Sequence, residues 1–343
     1  MSLISSNNDW DPLEEVILGT AQGLTLPPVD VSLRHFFEPP ADAASERIDA
    51  DVMRRVVDEA EEDFADAAKI LTDAGVTVRR PEPPVADRRY ASPDWESVAS
   101  HALMPRDCLL VVGDHVIEAP MAARSRYFET GPFRSLLREY FDSGAVWLSA
   151  PKPTLPDETY VYEPGRSLVG EIEPLFDAAN MLRCGHDIFF NVSNTGNRFG
   201  AEWLRRVLGP QFRVHEMSLC TDHVGTTIHI LRPGLLLANS ERLTPELIPE
   251  QLRSWKTIWV DPPEDDGYAF AWPRASVWVG MNILALGPDR ILVPSNQTRL
   301  ARQLEEVGIE PILTRFRHGR TFGGGLHCCS LDVRRTGELA DYL

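Results

Sequence analysis

The sequence has no run of apolar residues long enough to cross a bilayer, since a spanning helix needs about 20. Its opening stretch, Met1 to Asp9, lacks the apolar core of a secretory signal. Cysteine is sparse, with only Cys108, Cys184, Cys220, Cys328 and Cys329 in 343 residues. An odd number in so long a chain argues against a disulfide framework and for free thiols in a reducing cytoplasm. Spaced metal ligands are missing too: there is no Cys-x-x-Cys, no His-Glu-x-x-His and no carboxylate-rich calcium loop. No Gly-x-Gly-x-x-Gly follows a strand, and no loop ends in Gly-Lys-Ser/Thr. The expectation is therefore no metal and no nucleotide cofactor. Positive charge is short, with 34 basic against 51 acidic residues and a net charge of -17. Nucleic acid and anionic membrane would be repelled, whereas a cationic small substrate would be attracted.

What is present is a soluble globular composition, with 43% hydrophobic and 25% charged residues. One pattern recurs. A hairpin-like segment is followed by an amphipathic helix, a glycine and a short apolar strand. The helix Ala50 to Ala74 places Val52, Val56, Ala60, Phe64, Ala67 and Leu71 on one face, and Gly75 caps it. Phe133 to Ser143, Ala201 to Leu208 and Arg299 to Val307 repeat the pattern, each with a glycine close behind. Hairpins are expected over Cys108 to Ala119, Ile228 to Ala238 and Asn282 to Val293. An N-terminal strand, Glu15 to Gly19, and a final strand, Cys329 to Val333, stand at the two ends and could close one further module together. The pattern predicts a ring of about five helix-and-hairpin units. Two proline- and acid-rich excursions, Pro27 to Arg47 and Lys152 to Glu173, read as lids or as loops.

The stretch Gly323-Gly324-Gly325-Leu326-His327-Cys328-Cys329 frees the backbone to turn and then presents a thiol. Such a thiol is a candidate nucleophile; two buried cysteines after a turn is the plainer reading. Three other groups complete a constellation: His223 in Thr221-Asp222-His223-Val224-Gly225, Asp177 in Phe176-Asp177-Ala178-Ala179-Asn180, and Asp107 in Met104-Pro105-Arg106-Asp107. Thiol chemistry needs a proton acceptor, the imidazole needs a carboxylate to fix its tautomer, and a cation needs an acid to hold it. Plainer roles exist for each. Asp107 could pair with Arg106, Asp177 could cap a helix, and His223 could be an ordinary buried or surface imidazole. Spacing alone does not bring them together.

Long stretches resemble the arginine-dependent amidinotransferases, the glycine and inosamine-phosphate amidinotransferase type. They run in one order from Asn8-Asp9-Trp10-Asp11-Pro12-Leu13-Glu14-Glu15 through Met104 to Asp107, Ile117 to Met121 with Arg124-Ser125-Arg126, and Phe176 to Asn180. Trp278 to Asn282 and the glycine-rich cysteine stretch complete them. The resemblance covers nearly the whole chain. It implies an α/β fold: a five-module pseudosymmetric propeller, pentein-like, with ββαβ-type modules around a central channel, spanning residues 1–343 as one domain. It also implies that Cys328 attacks the guanidinium carbon of arginine, that His223 shuttles protons, that Asp177 orients His223 and that Asp107 holds the guanidinium. Arg242 would receive the donor α-carboxylate, and Ser276 would line the pocket. The acceptor would be an amine of a specialised metabolite such as an antibiotic precursor, and kinship to enzymes that are often dimers adds a homodimer.

One position departs from the pattern. Where the family reads His-x-Asp, this chain reads His223-Val224-Gly225. Asp222 could substitute, but if His223 begins a strand its neighbour points to the other face. Cys220, in the loop before His223, could mark an unusual acceptor pocket. The missing acid keeps open an acyl transfer from a thioester donor, carried on a carrier protein, to an amine. Hydrolysis of a guanidino compound and a non-catalytic binding protein complete the alternatives.

Overall fold

The computed structural model describes residues 2–37, 48–163 and 166–343. Five three-stranded sheets recur along the chain. In four of them a hairpin is followed by a third strand parallel to its second strand. These are Leu109–Val112, His115–Glu118 and Val146–Ser149; Met181–Cys184, Asp187–Asn191 and Arg213–Met217; Ile228–Arg232, Leu235–Asn239 and Lys256–Val260; and Leu284–Gly287, Arg290–Pro294 and Glu310–Thr314. The fifth joins the two ends of the chain. Leu13–Leu18 pairs antiparallel with Ser330–Arg335 and parallel with Thr77–Arg79. The expected closure of a module by both ends is thus observed.

The parallel pairs need crossovers, and helices supply most of them. Helix Ala50–Asp73 buries Val56, Ala60, Phe64, Ala67 and Leu71, the spacing of one helical face. The Asp49 carboxylate caps it by accepting from the Asp51 and Val52 N–H groups, and Gly75 leaves it at φ +88°. Helices Arg134–Asp142, Arg198–Leu208 and Thr298–Glu305 serve the other modules. Arg198–Leu208 starts three residues before the expected Ala201, because the Asn197 side chain caps it by accepting from the Gly200 N–H. The module that begins with Ile228–Arg232 breaks the rule. Its crossover holds only the short turns Pro245–Leu247 and Glu250–Leu252, since Pro245 and Pro249 interrupt any longer helix. The hairpin turning at Gly185 was not among those expected.

Both excursions are partly visible. Residues 31–37 of the first form a helix, and its residues 38–47 lie outside the described residues. The second holds a hairpin of Tyr160–Glu163 with Arg166–Val169.

Side chains from the first strands and from the segments leading into them fill the ring's centre. Asp332 accepts from Arg106 Nη2 and Arg183 Nη2, both at 2.6 Å, and from Arg335 Nε at 2.8 Å. Asp9 pairs with Arg106 and Arg183 on the same network. These charges are buried, and each has opposite partners, which is the condition for tolerating them there. An enclosed space of about 20 Å³ remains, room for about one water. No helix among the described residues is long and apolar enough to cross a membrane.

Candidate active site

The same place in each module bears a polar residue. A short helical turn leads into four of the five first strands. Asp107 lies in the turn Pro105–Cys108. Asp177 stands before Ala178–Asn180, His223 before Val224–Thr226, and Ser276 before Val277–Met281. Cys328 stands two residues before the Ser330–Arg335 strand. Pseudosymmetry therefore collects residues hundreds of positions apart at one end of the ring. The three glycines let the last turn form, since Gly323 has φ +89° and a side chain on Gly325 would strike Asn282.

His223 is the hub. Its Nε2 lies 3.1 Å from Asp177 Oδ2 and its Nδ1 lies 3.7 Å from Asp107 Oδ1. The Cys328 side chain lines the same cleft as the ring. Burial would lower the imidazole pKa. The Asp107 charge and the hydrogen bond to Asp177 outweigh it and hold the ring's pKa well above the ordinary value. These neighbours favour the protonated ring over the neutral one. Asp177 caps nothing. Its carboxylate instead accepts from the Ala122 N–H at 3.2 Å and is fully buried.

Asp107 does not pair with Arg106, which is committed to Asp332 and Asp9. Its Oδ2 accepts from Arg126 Nη1 at 2.9 Å, while its buried Oδ1 has no hydrogen-bond partner. Arg126 in turn makes a two-pronged contact with Glu129, at 2.5 and 2.7 Å. Although burial opposes ionisation, Arg126 and His101 hold the Glu129 carboxyl down at about 2. Three buried carboxylates, Asp107, Asp177 and Glu129, thus surround the Arg126 guanidinium, with the imidazoles of His223 and His101 beside them.

A cleft of about 750 Å³ opens over this group, and Cys328, His223, Asp107, Asp222, Gly225, Arg242 and Ser276 all line it. Arg242 Nη1 donates to Thr226 Oγ1 at 2.8 Å and Thr227 Oγ1 at 3.2 Å, and Nη2 reaches Ser276 Oγ at 3.4 Å. Asp222 does not point away. The chain at His223 is a loop entering a helical turn, so strand alternation does not apply, and Asp222 Oδ1 stands 3.8 Å from Arg242 Nη1. Cys220 is not a cleft residue. Its thiol donates under the His223 loop to the Asp222 carbonyl at 3.4 Å, and burial together with the Asp222 charge pushes its pKa up to about 12. Cys329 is buried, and burial raises its thiol pKa well above the ordinary value.

Sequence reasoning missed three residues: Arg126, Glu129 and Asn282. Asn282 Nδ2 donates to the Gly225 carbonyl at 3.0 Å, and its Oδ1 accepts from the Cys328 N–H at 2.9 Å. Arg126 and Asn282 both sit inside stretches quoted for the family resemblance, and that was the available pointer. The described residues hold no cluster of His, Cys, Asp and Glu fit for a metal.

With the geometry in place, comparison decides the family. The chain is 44% identical over 346 residues to inosamine-phosphate amidinotransferase 1 of Streptomyces glaucescens, covering 100% of this chain and 99% of that one. The chain belongs to the amidinotransferase family. An L-arginine:L-lysine amidinotransferase of Pseudomonas savastanoi pv. phaseolicola is 38% identical, with 100% and 97% covered. Among solved structures, inosamine-phosphate amidinotransferase StrB1 from Streptomyces griseus superposes with a TM-score of 0.93 at 44% identity, covering 100% of this chain and 99% of that one. No protein-family model matches. As an amidinotransferase the protein is a transferase, and its fold is the five-module, pentein-like α/β propeller that the resemblance implied.

Proposed function

We propose that residues 1–343 act as one catalytic unit that moves an amidino group from arginine to an amine of a specialised metabolite, through a covalent adduct on Cys328. Cys328 and His223 line one cleft while Asp177 holds the imidazole from behind, and that grouping supports this most strongly. Arginine's guanidinium is placed against the unpartnered Asp107 Oδ1, and its α-carboxylate against Arg242 and Ser276. The Cys328 thiolate adds to the guanidinium carbon. The tetrahedral adduct collapses by breaking the bond to the ornithine nitrogen, which takes a proton from the His223 imidazolium. Ornithine leaves, and the amidino group stays on sulfur. The acceptor's neutral nitrogen then adds to the same carbon and gives its proton to His223. The carbon–sulfur bond breaks, and the thiolate and imidazolium return.

Asp177 keeps the ring in register and supports its charge throughout. All five cysteines are free, in keeping with a reducing cytoplasm. The inosamine-phosphate and arginine:lysine relatives support amidino chemistry on metabolite amines.

One observation favours a second reading. The guanidinium has no second acid at Gly225, so an acyl group delivered as a thioester would lose nothing there. Incubation with arginine tests between them. Ornithine release with an amidino adduct on Cys328 supports the first reading, whereas acylation by a thioester donor and inertness to arginine support the second.

A further inference from the structure

The cleft is larger than arginine requires. At about 750 Å³ it lies within the range of roughly 300–1,000 Å³ typical of sites for drug-sized ligands. One side of it is a continuous apolar surface. Phe322, Phe270 and Met104 pack in a single cluster with Cys328, and Leu24 and Leu26 pack against that cluster. The Phe37 ring meets the Trp272 ring edge-on at 6.0 Å. Arg274 lies over Trp272 at 3.8 Å and over Phe270 at 5.4 Å, joining the two patches. Leu24, Leu26, Leu33, Phe36 and Phe37 are only half-buried, so this surface still has apolar area to cover. Arg126 is engaged by Asp107 and Glu129, and Arg242 serves the donor's α-carboxylate in the reading above.

We infer that the acceptor is an amine borne on a sizeable apolar body, an alkyl or aromatic amine, and not a small zwitterion or a phosphorylated polyol. This rests on the group-transfer reading above. The amine enters opposite Cys328 and the apolar body lies along Phe322, Phe270, Trp272 and Phe37. Each methylene that leaves water against this surface adds up to about fourfold in affinity. A phosphate would instead have to draw Arg274 off the Trp272 and Phe270 rings, and the apolar side chains around it would desolvate it at a cost.

Two measurements on the full chain test this. The first follows acceptor turnover, with arginine as donor, for n-alkyl amines from butyl to decyl, for phenylalkyl amines, for glycine and for a phosphorylated aminocyclitol. The second measures binding of the same amines to Cys328→Ala by calorimetry, which needs no turnover. Binding and kcat/KM should climb by up to about fourfold per methylene until the cleft is full. Phe37→Ala, at a half-buried position, and Trp272→Ala should each flatten the climb. A flat series, or glycine or the phosphorylated aminocyclitol binding as well as decylamine, overturns the inference. If arginine releases no ornithine while calorimetry still shows the climb, the donor reading fails and the apolar acceptor site stands.

Discussion

Asn282 fills the space that a side chain at Gly225 would need. A Cβ built on Gly225 falls 2.4 Å from Asn282 Nδ2. Asn282 is fully buried and tied at both ends, to the Gly225 carbonyl and to the Cys328 N–H. It thereby links the loop of the proton shuttle to the loop of the nucleophile. Gly225→Asp restores the acid of the family pattern, but it must displace this amide and break both hydrogen bonds, costing about 2 kcal/mol. The single substitution should lower thermal stability and leave arginine turnover no higher than wild type. Combined with Asn282→Gly, it should recover part of the stability, a non-additive pair in a double-mutant cycle. An additive pair would separate the two residues.

Arg126 holds the acids of the site together. Arg126→Met would leave Asp107 and Glu129 buried without their cation. Breaking such a pair from one side costs about 3–5 kcal/mol, to be read as a shift of the urea midpoint. Glu129→Gln with Arg126→Met should be milder than Arg126→Met alone.

The sign of the His223 shift sets a pH dependence. The folded pKa lies above the unfolded value of about 6.5. Its contribution to stability is therefore complete below about pH 6.5 and disappears as the pH rises through the higher folded value. Urea unfolding of wild type and His223→Gln across pH 5.5 to 10 should show the largest gap at the acid end and a shrinking gap toward the alkaline end. A gap that grows with pH would reverse the assignment of charge.

Arg242 should discriminate donors by their carboxylate. Losing a hydrogen bond to a charged group costs about 1.5–3 kcal/mol. Arg242→Gln should thus lower kcat/KM for arginine by about 10- to 100-fold. Agmatine, which lacks the carboxylate, should be turned over equally by both forms. A parallel loss with agmatine would place Arg242 in a structural role, supporting the Thr226–Thr227 turn.

Much of the ring was legible because its periods are strong. The face of Ala50–Asp73 and the glycine after each helix mark the modules directly. The module beginning at Ile228 was harder, since Pro245 and Pro249 replace its helix by turns and remove the 3.6-residue period. The hairpin at Gly185 lacks the proline or Gly-Asp pair that marked the others. In the site, Cys328, His223, Asp177 and Asp107 could be named from residue type and resemblance. Their meeting depends on five-fold pseudosymmetry, which no local spacing encodes. Arg126, Glu129 and Asn282 stayed hidden for a different reason. They act on other protein groups, and only tertiary contacts reveal such a role. The side chain of Asp222 was misdirected by treating a loop as a strand.

The central claim is that sulfur bears the transferred group. Intact-mass measurement after mixing the protein with arginine, without acceptor, tests it most directly. The account predicts a gain of one amidino group, mapped to Cys328, with an equal amount of ornithine released and neither product from Cys328→Ser. Ornithine released by Cys328→Ser at the wild-type rate, or an adduct on Cys329 instead, would contradict it.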